Sequence, residues 1–411
     1  MVETVHTLVI GGGQAGVATS AHLQKRGVPH LVLERDRIAE RWRSWRWDSL
    51  VANGPAWHDR FPDAEFTDLD PDAFAPKEAV ADYFQRFAGD RNLPVRIGVE
   101  VTRLERQGTT FRATTLTGTS TGTTTGTIEA QNVVVATGPF QKPVIPTVIS
   151  DPAITQLHSN AYRNPGALPE GAVLVVGAGS SGAQIAEELV RAGRQVYLSV
   201  GPHDRPPRRY RGQDFVWWLG KLGKWDMKAP TPGTEHITIA VSGAYGGHTM
   251  DFRRLAGLGV TLLGRAGTCR DGVLTFADDL RTNMENGDRN YLSVLEEADA
   301  YATAQGLDLP EDPDARTLLP LPACVTDPTS ALDLSAARIS TVIWATGFQL
   351  DFGWIDLDIF RPDGRPRHTD GVTEVPGLYF MGLPWLSCRG SAFIWGAWKD
   401  AERLAGVIAG R

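Results

Sequence analysis

The chain reads as an α/β protein of two Rossmann-like dinucleotide-binding domains, the second inserted within the first, and three observations predict it. Two glycine fingerprints, Gly11-Gly12-Gly13-Gln14-Ala15-Gly16 and Gly177-Ala178-Gly179-Ser180-Ser181-Gly182, stand far apart in 411 residues. Each follows a β-branched or apolar run, Thr7-Leu8-Val9-Ile10 or Val173-Leu174-Val175-Val176, and opens a segment with helical spacing. That strand, turn and helix context is what gives the motif meaning. An Ala-Thr-Gly ending also recurs after two further strand-like runs, at Ala136-Thr137-Gly138 and Ala345-Thr346-Gly347, where a small residue and a glycine permit close backbone approach to a cofactor.

The first βαβ unit starts at Thr4, and its helix carries the small residues Ala15, Ala18 and Ala21 toward a sheet. In each fingerprint the first glycine (Gly11, Gly177) allows the tight turn, and the second (Gly13, Gly179) lets the backbone approach a pyrophosphate. The third (Gly16, Gly182) lets the helix pack on its strand. The helix N-termini, led by Gln14-Ala15 and Ser180-Ser181, then offer N–H groups and a partial positive charge to the phosphates.

What each site holds follows from the next strand. After Leu31-Val32-Leu33 comes Glu34, with Arg35 beside it; the carboxylate suits a ribose diol and repels a 2′-phosphate, so this site fits the ADP half of FAD. After Val196-Tyr197-Leu198 the matching stretch is Ser199-Val200-Gly201, without an acid, and Arg205, Arg208, Arg209 and Arg211 follow. Guanidinium forks bind phosphate bidentately, so the second site is expected to take NADPH, with Arg208 and Arg209 as the phosphate candidates. Which arginine reaches the phosphate is not decided by the sequence.

Between these units, Val80, Tyr83, Phe84 and Phe87 mark a helix within Asp72 to Asn92, and its aromatic stripe belongs to the core. A strand pattern spans Val95 to Leu104, with Val101 assigned to the cofactor side. Thr114 to Thr127 is almost all Thr and Gly and reads as an exposed hairpin or ragged loop. Asn132 to Val135 is a buried strand, after which prolines at 139, 143, 146 and 152 suggest a crossing between domains.

The second unit begins near Val173, with Ala183, Ala186, Leu189 and Val190 on one helical face. Gly201 to Leu332 exceeds what a bare nucleotide-binding unit needs. It is expected to combine the remaining strands with an insertion, serving as a lid or a homodimer surface, and holds a helix around Asn290 to Gln305. The tail from Gly377 to Gly382 reads as one more strand, with Gly382 on the cofactor side, and Ser391 to Gly406 as a helix. The expected division is residues 1–150 and 348–411 for the FAD domain and 151–347 for the NADPH domain.

Composition narrows the function. A formal net charge of −7 gives no support for nucleic-acid or anionic-membrane binding, and no apolar stretch is long enough to span a bilayer, so a cytoplasmic enzyme acting on a small molecule is expected. The three cysteines form no C-x-x-C pair, which argues against a disulfide reductase sharing this layout. The nine histidines include no metal-binding motif.

These residues together resemble the class B flavin-dependent monooxygenases, the group containing the flavin-containing monooxygenases and the plant YUCCA enzymes. The likeness spans most of the chain. It rests on the two glycine motifs in this order, Glu34-Arg35 with Arg41-Trp42 shortly after, the Asn53 segment and Ala136-Thr137-Gly138. His158-Ser159-Asn160-Ala161-Tyr162 and Trp344-Ala345-Thr346-Gly347-Phe348 complete it. The family's F-x-G-x-x-x-H-x-x-x-(Y/F) pattern keeps only His158 and Tyr162, with Pro152 and Ile154 in place of Phe and Gly. Tyr162 followed by Arg163, where Baeyer-Villiger members carry Trp then Pro or Asp, favours oxidation of a nitrogen or sulfur atom. Ala39-Glu40-Arg41-Trp42 also lacks the glycine pair usual before this tryptophan.

The resemblance implies that NADPH reduces FAD, that O2 adds to the reduced flavin, and that the C4a-hydroperoxide passes one oxygen to the substrate while the other leaves as water. It implies a role for Asn53 beside the flavin, where an amide can both donate and accept hydrogen bonds. On composition alone Asn53 reads more readily as a turn residue before Gly54-Pro55, and the resemblance reverses that preference. Trp42, His58 and Trp385 are candidates to border the flavin or substrate cavity, and His158 to serve as a hinge contact. The rival functions are a reductase passing electrons to a quinone or protein acceptor, a Baeyer-Villiger oxygenase and a noncatalytic redox sensor.

Overall fold

The structure, a computed structural model, describes residues 2–119, 122–229 and 238–410. Its first half opens with β1 (Glu3–Ile10), α1 (Gln14–Lys25) and β2 (His30–Leu33), followed by α2 (Glu40–Ser44), α3 (Lys77–Asp90) and β3 (Val95–Arg96). Then come β4 (Val99–Gln107), β5 (Thr110–Thr119), β6 (Gly122–Val135) and β7 (Lys142–Pro143). β1 pairs in parallel with β2 on one side and with the end of β6 on the other, so its last four residues are wholly or almost wholly buried. This burial on both faces explains the unbroken apolar runs.

The Thr/Gly stretch forms the regular antiparallel β5–β6 hairpin, with Phe111 opposite Ala130 and Thr119 opposite Gly122; the tip at 120–121 lies outside the described residues. Alternation places Phe111, Ala113, Ile128 and Ala130 in the core, which is why so polar a segment still joins the sheet.

The second sheet is built from β8 (Thr155–His158), β9 (Ala172–Val176) and, after α4 (Ser180–Arg191), β10 (Val196–Ser199). The chain next leaves the sheet through β11 (Arg209–Tyr210), β12 (Gln213–Asp214), α5 (Phe215–Lys221) and α6 (Phe252–Gly257), and returns as β13 (Thr261–Leu263). A separate three-stranded sheet contains β14 (Ala266–Arg270), β15 (Val273–Phe276) and β16 (Ala331–Asp333). Between β15 and β16 lie α7 (Leu280–Ala304) and α8 (Ala323–Thr326). Then β17 (Ile339–Trp344) inserts between β9 and β8, giving the parallel order β13-β10-β9-β17-β8.

α7 begins ten residues ahead of the expected Asn290, at Leu280. Gly287, which interrupts the helical pattern there, is a packing necessity: a Cβ on it would lie 2.7 Å from His203 Nε2.

The chain then re-enters the first sheet. β18 (Phe348–Gln349) pairs with β7, and β19 (Ile355–Asp356) with β4; β20 (His368–Thr369), β21 (Val372–Thr373) and β22 (Leu378–Phe380) follow. β22 lies parallel to β6, and α9 (Ile394–Ala409) packs on α1. The second sheet therefore draws every strand from 155–344, while the first takes strands from both ends of the chain.

Candidate active site

The two glycine loops are built by the same construction. Gly11 N–H donates to Leu33 O and Gly177 N–H to Ser199 O, so each turn is tied to the next strand. Ala136 N–H donates to Ile10 O and Ala345 N–H to Val176 O, which brings each Ala-Thr-Gly ending against its own fingerprint. A Cβ on Gly11 (φ +110°) would sit 2.6 Å from Ala136 O, and one on Gly177 (φ +114°) 2.5 Å from Ala345 O. At Gly16 and Gly182 a Cβ would come within 1.8 Å of the carbonyl of Gly11 or Gly177. These four positions exclude any side chain.

Gly13 is glycine for another reason, since nothing lies within 4 Å of where its Cβ would be. Its bare face opens on space at the head of α1, as a pyrophosphate requires. Glu34 directly follows β2 beside it: Oε2 accepts Gly12 N–H at 2.6 Å and Oε1 accepts Asp36 N–H at 2.9 Å. Gln14 Nε2 donates to Ala392 O at 2.8 Å, and Gly382 (φ +72°) would place a Cβ 2.7 Å from Ala15 Cβ, so the C-terminal segment also closes on this loop.

Two arginines give the first crevice an unmet demand for an anion. Ala39 N–H donates to Gly12 O, which docks α2 on the glycine loop. From α2, Arg41 lies 3.9 Å over the Trp45 ring and leaves Nη1 buried without a partner among the described residues; burial lowers its pKa. Arg46, which sequence reading passed over, faces the rings of Trp42 and Phe140 and donates to Trp45 O. Burial pulls its pKa down to about 10, and the neighbouring Arg41 charge adds to this. Neither has a carboxylate partner among the described residues, which fits a site completed by a bound pyrophosphate.

Of the remaining candidates for this crevice, Arg35 is exposed and paired with Asp36 and Glu100. Val101 lies half-buried in β4, where the pairing with β5 shifts register. Thr137 Oγ1 accepts from Gln141 Nε2, which also reaches Gly138 O.

The second crevice differs at its helix end. Ser180 N–H and Ser180 Oγ both donate to Ile239 O at 2.8 Å, and Val241 N–H donates back to Ser180 Oγ. Gly179 faces Thr238 Cγ2, so residues 238–241 lie across the start of α4. A nucleotide phosphate at the Ser180 amide would have to displace this carbonyl. Ser181 and Gly182 follow in α4, and Thr346 Oγ1 binds Val144 O in the linker.

Arg208 does not face this crevice, which corrects the expectation for it. Its side chain is 3% exposed and ion-paired with Asp214, and Nη1 donates to Asn53 O at 2.5 Å. The guanidinium lies 4.9 Å over Phe74 and 5.0 Å over Phe215, so it is a buried strut between the two halves of the chain. Arg205 is likewise buried, against Asp288, and Arg211 is held by Asp299. Arg209 is exposed on β11.

Asn53 is fixed at the junction of three elements. Its Oδ1 accepts Gln184 Nε2 at 2.9 Å from α4, its carbonyl accepts Arg208, and the adjoining Ala52 O lies against Gly243, where a Cβ would sit 2.1 Å away. Gln184 Nε2 also donates to Val241 O, so the helix that begins at the second glycine loop grips both the strap over that loop and the Asn53 amide. Gln184 lies four residues after Ser180 on the same helical face, the one signal in the sequence that could have found it.

Beside Asn53 stands an aromatic wall. Gly54 N–H donates to Asp59 Oδ2, and Asp59 Oδ1 holds His58 Nδ1 at 2.7 Å. The His58 ring stacks 5.5 Å from Trp225 and meets Trp57 and Trp395 edge-on. His58 Nε2 and Trp395 Nε1 are buried without partners among the described residues. Trp225 O accepts from Gly390 N–H, which ties the insertion to the C-terminal segment. Trp385 adopts φ +55°, a strained position for a non-glycine residue, and Trp42 touches the cores of both halves.

His158 is 2% exposed and joins the two linkers: Nε2 donates to Gly347 O at 2.9 Å and the ring meets Phe348 edge-on. With Nε2 donating, Nδ1 is the acceptor for Asn160 N–H. Burial holds its pKa below the ordinary histidine value, so it stays neutral. Tyr162 is fully buried, with its hydroxyl on Glu188. The cysteines are free and no metal-binding cluster occurs among the described residues. No helix among these residues is long and apolar enough to cross a membrane.

Comparison with known proteins agrees with this geometry. Residues 8–218 match the family described as pyridine nucleotide-disulphide oxidoreductase. An uncharacterized CzcO-like oxidoreductase of Geobacillus kaustophilus is 33% identical over 99% of both chains. The indole-3-pyruvate monooxygenase YUCCA8 of Oryza sativa subsp. indica is 26% identical, over 98% of this chain and 90% of its own. Among solved structures, the flavin-containing monooxygenase of Stenotrophomonas maltophilia superposes with a TM-score of 0.66 at 18% identity, covering 100% of this chain and 99% of that one.

Proposed function

The chain belongs to the pyridine nucleotide-disulphide oxidoreductase family, and from that premise we propose that it is an NADPH-dependent flavin monooxygenase that oxygenates a small molecule at nitrogen or sulfur. FAD is assigned to the first crevice and NADPH to the second. The observation that carries the reading is the Asn53 amide, gripped through Gln184 by the helix of the second crevice and set beside an aromatic wall that holds two nitrogens unpaired among the described residues, the Trp395 N–H donor and His58 Nε2. Bound FAD supplies hydride acceptance and oxygen activation; the protein supplies position and exclusion of water.

Each residue then has a defined task. The bare face of Gly13 and the α1 N-terminus receive the FAD pyrophosphate, Arg41 and Arg46 neutralise it, and Glu34 takes the ribose diol. Asn53 holds a hydrogen-bonding group at the reacting centre, its orientation fixed because Gln184 occupies Oδ1 and leaves the amide N–H2 to donate. The rings of Trp57, His58, Trp225 and Trp395 keep water out, while Trp395 Nε1 offers a substrate a hydrogen bond. The absence of a paired cysteine beside the crevices favours oxygen transfer over thiol chemistry.

The test is aerobic NADPH oxidation by the FAD-loaded protein against amine, sulfide, indole and ketone panels under 18O2, with peroxide measured alongside. Label in an amine or sulfide product is the expected result. NADPH oxidation that yields only peroxide or reduced quinone with every compound would overturn the proposal.

A further inference from the structure

The structure assigns discrimination between NADPH and NADH to Arg265, an inference that rests on the NADPH reading above. In the first half the ribose-facing residue, Glu34, follows the strand next to the glycine loop. By the same pairing Ser199 is the counterpart of Leu33, so the wholly buried Val200 takes the place of Glu34, and Gly201 comes next. A Cβ on Gly201 would lie 3.3 Å from Arg265 Cγ and 3.5 Å from Cδ. The space that a side chain on Gly201 would fill is therefore filled by the stem of an arginine from the end of the adjacent strand, β13.

Arg265 is placed and prepared for a phosphate. All five strands of its sheet run parallel, so β9, β10 and β13 end on one rim, the side on which such sheets bind nucleotides. Its backbone is anchored, N–H on Asp279 Oδ1 at 3.0 Å and O on Ala277 N–H at 2.9 Å. Asp279 Oδ2 holds Nε at 2.6 Å, which fixes the plane of the guanidinium. Nη1 and Nη2 make no hydrogen bond among the described residues, and the side chain is 63% exposed. The free edge of the fork is thus presented to solvent beside Gly201, in the two-pronged geometry that grips a phosphomonoester. No carboxylate stands at the glycine itself to take a ribose diol instead.

Of the arginines nearer in sequence, Arg205 is committed to Asp288, Arg208 to Asp214 and Arg211 to Asp299, while Arg209 is exposed on β11, away from the contact with Gly201 that Arg265 makes.

The test measures binding of 2′,5′-ADP and of 5′-ADP to the FAD-loaded protein by calorimetry, for the wild type, Arg265→Ala and Arg265→Lys, with flavin content and melting temperature as controls on folding. We expect wild type to prefer 2′,5′-ADP. Arg265→Ala weakens 2′,5′-ADP at least about tenfold, as loss of a charge-assisted pair does, and leaves 5′-ADP within about twofold; Arg265→Lys recovers part of the loss. Unchanged discrimination in Arg265→Ala overturns the assignment and leaves the NADPH reading standing. A wild type that binds both nucleotides alike overturns both.

Discussion

Arg208→Ala separates a buried strut from a ligand contact. The wild-type guanidinium is almost fully enclosed, faces Asp214 at 8% side-chain exposure, and donates across the interface to Asn53 O. Removing it leaves the Asp214 carboxylate in the interior with one remaining donor among the described residues, Val216 N–H at 3.0 Å, and leaves Asn53 O without its arginine. Breaking one side of a buried ion pair costs about 3–5 kcal/mol, because the partner charge is stranded. Arg208→Met with Asp214→Asn removes both charges while Asn still caps α5, so the double variant is expected to recover more than half of the loss. Urea unfolding of the FAD-loaded protein, run as a double-mutant cycle, measures the coupling. A loss below about 1 kcal/mol, or intact stability with selective loss of NADPH affinity, would refute the buried-strut reasoning.

Asn53→Ala is expected to retain FAD but divert NADPH electrons to hydrogen peroxide, and Gln184→Leu to do so to a smaller extent; a peroxide-to-product ratio equal to wild type in both would remove the amide from the mechanism. Gly16→Ala is expected to yield colourless protein, whereas Gly182→Ala stays yellow yet is not reduced by NADPH, since each Cβ collides at 1.8 Å with only its own loop; flavin absorbance before and after NADPH addition reads both. His22 is buried against Trp398 without hydrogen-bond partners among the described residues, and burial depresses its pKa to about 4. The folded state therefore resists a proton that the unfolded chain accepts, so stability falls as pH drops from about 6.5 to about 4, by at most about 1.4 kcal/mol per pH unit. His22→Leu should flatten that slope, and an unchanged slope in urea midpoints would exclude His22 as its source.

The parts of the site that the sequence discloses are those made by local backbone demands. The turns at Gly11 and Gly177, the close packing at Gly16 and Gly182, and Glu34 at a strand end all follow from short-range spacing. The Ala-Thr-Gly repeats proved to be the second wall of each glycine turn, a contact that spacing suggests but cannot orient. Arg208 misled because nearness to β10 along the chain is not nearness in space: the path turns away into β11, β12 and α5. Arg265 and Gln184 escaped notice because their partners, Gly201 and Asn53, arrive from remote segments. Arg46 carries no motif; only its burial without a carboxylate marks it.

Trp47 and Leu50 are joined covalently to the first half, yet they lie in a hydrophobic cluster with Val173, Ala183, Ala186 and Leu198 of the second. Ser49 and Arg163 reinforce that seam through Glu188 and Ser44. Excision of residues 151–347 as a free-standing fragment would leave a notch where the indole and isobutyl groups belong, and the remainder would expose them to water. Each piece would lose part of its packing, so dissection experiments are expected to fail by aggregation even where each excised sheet is intact.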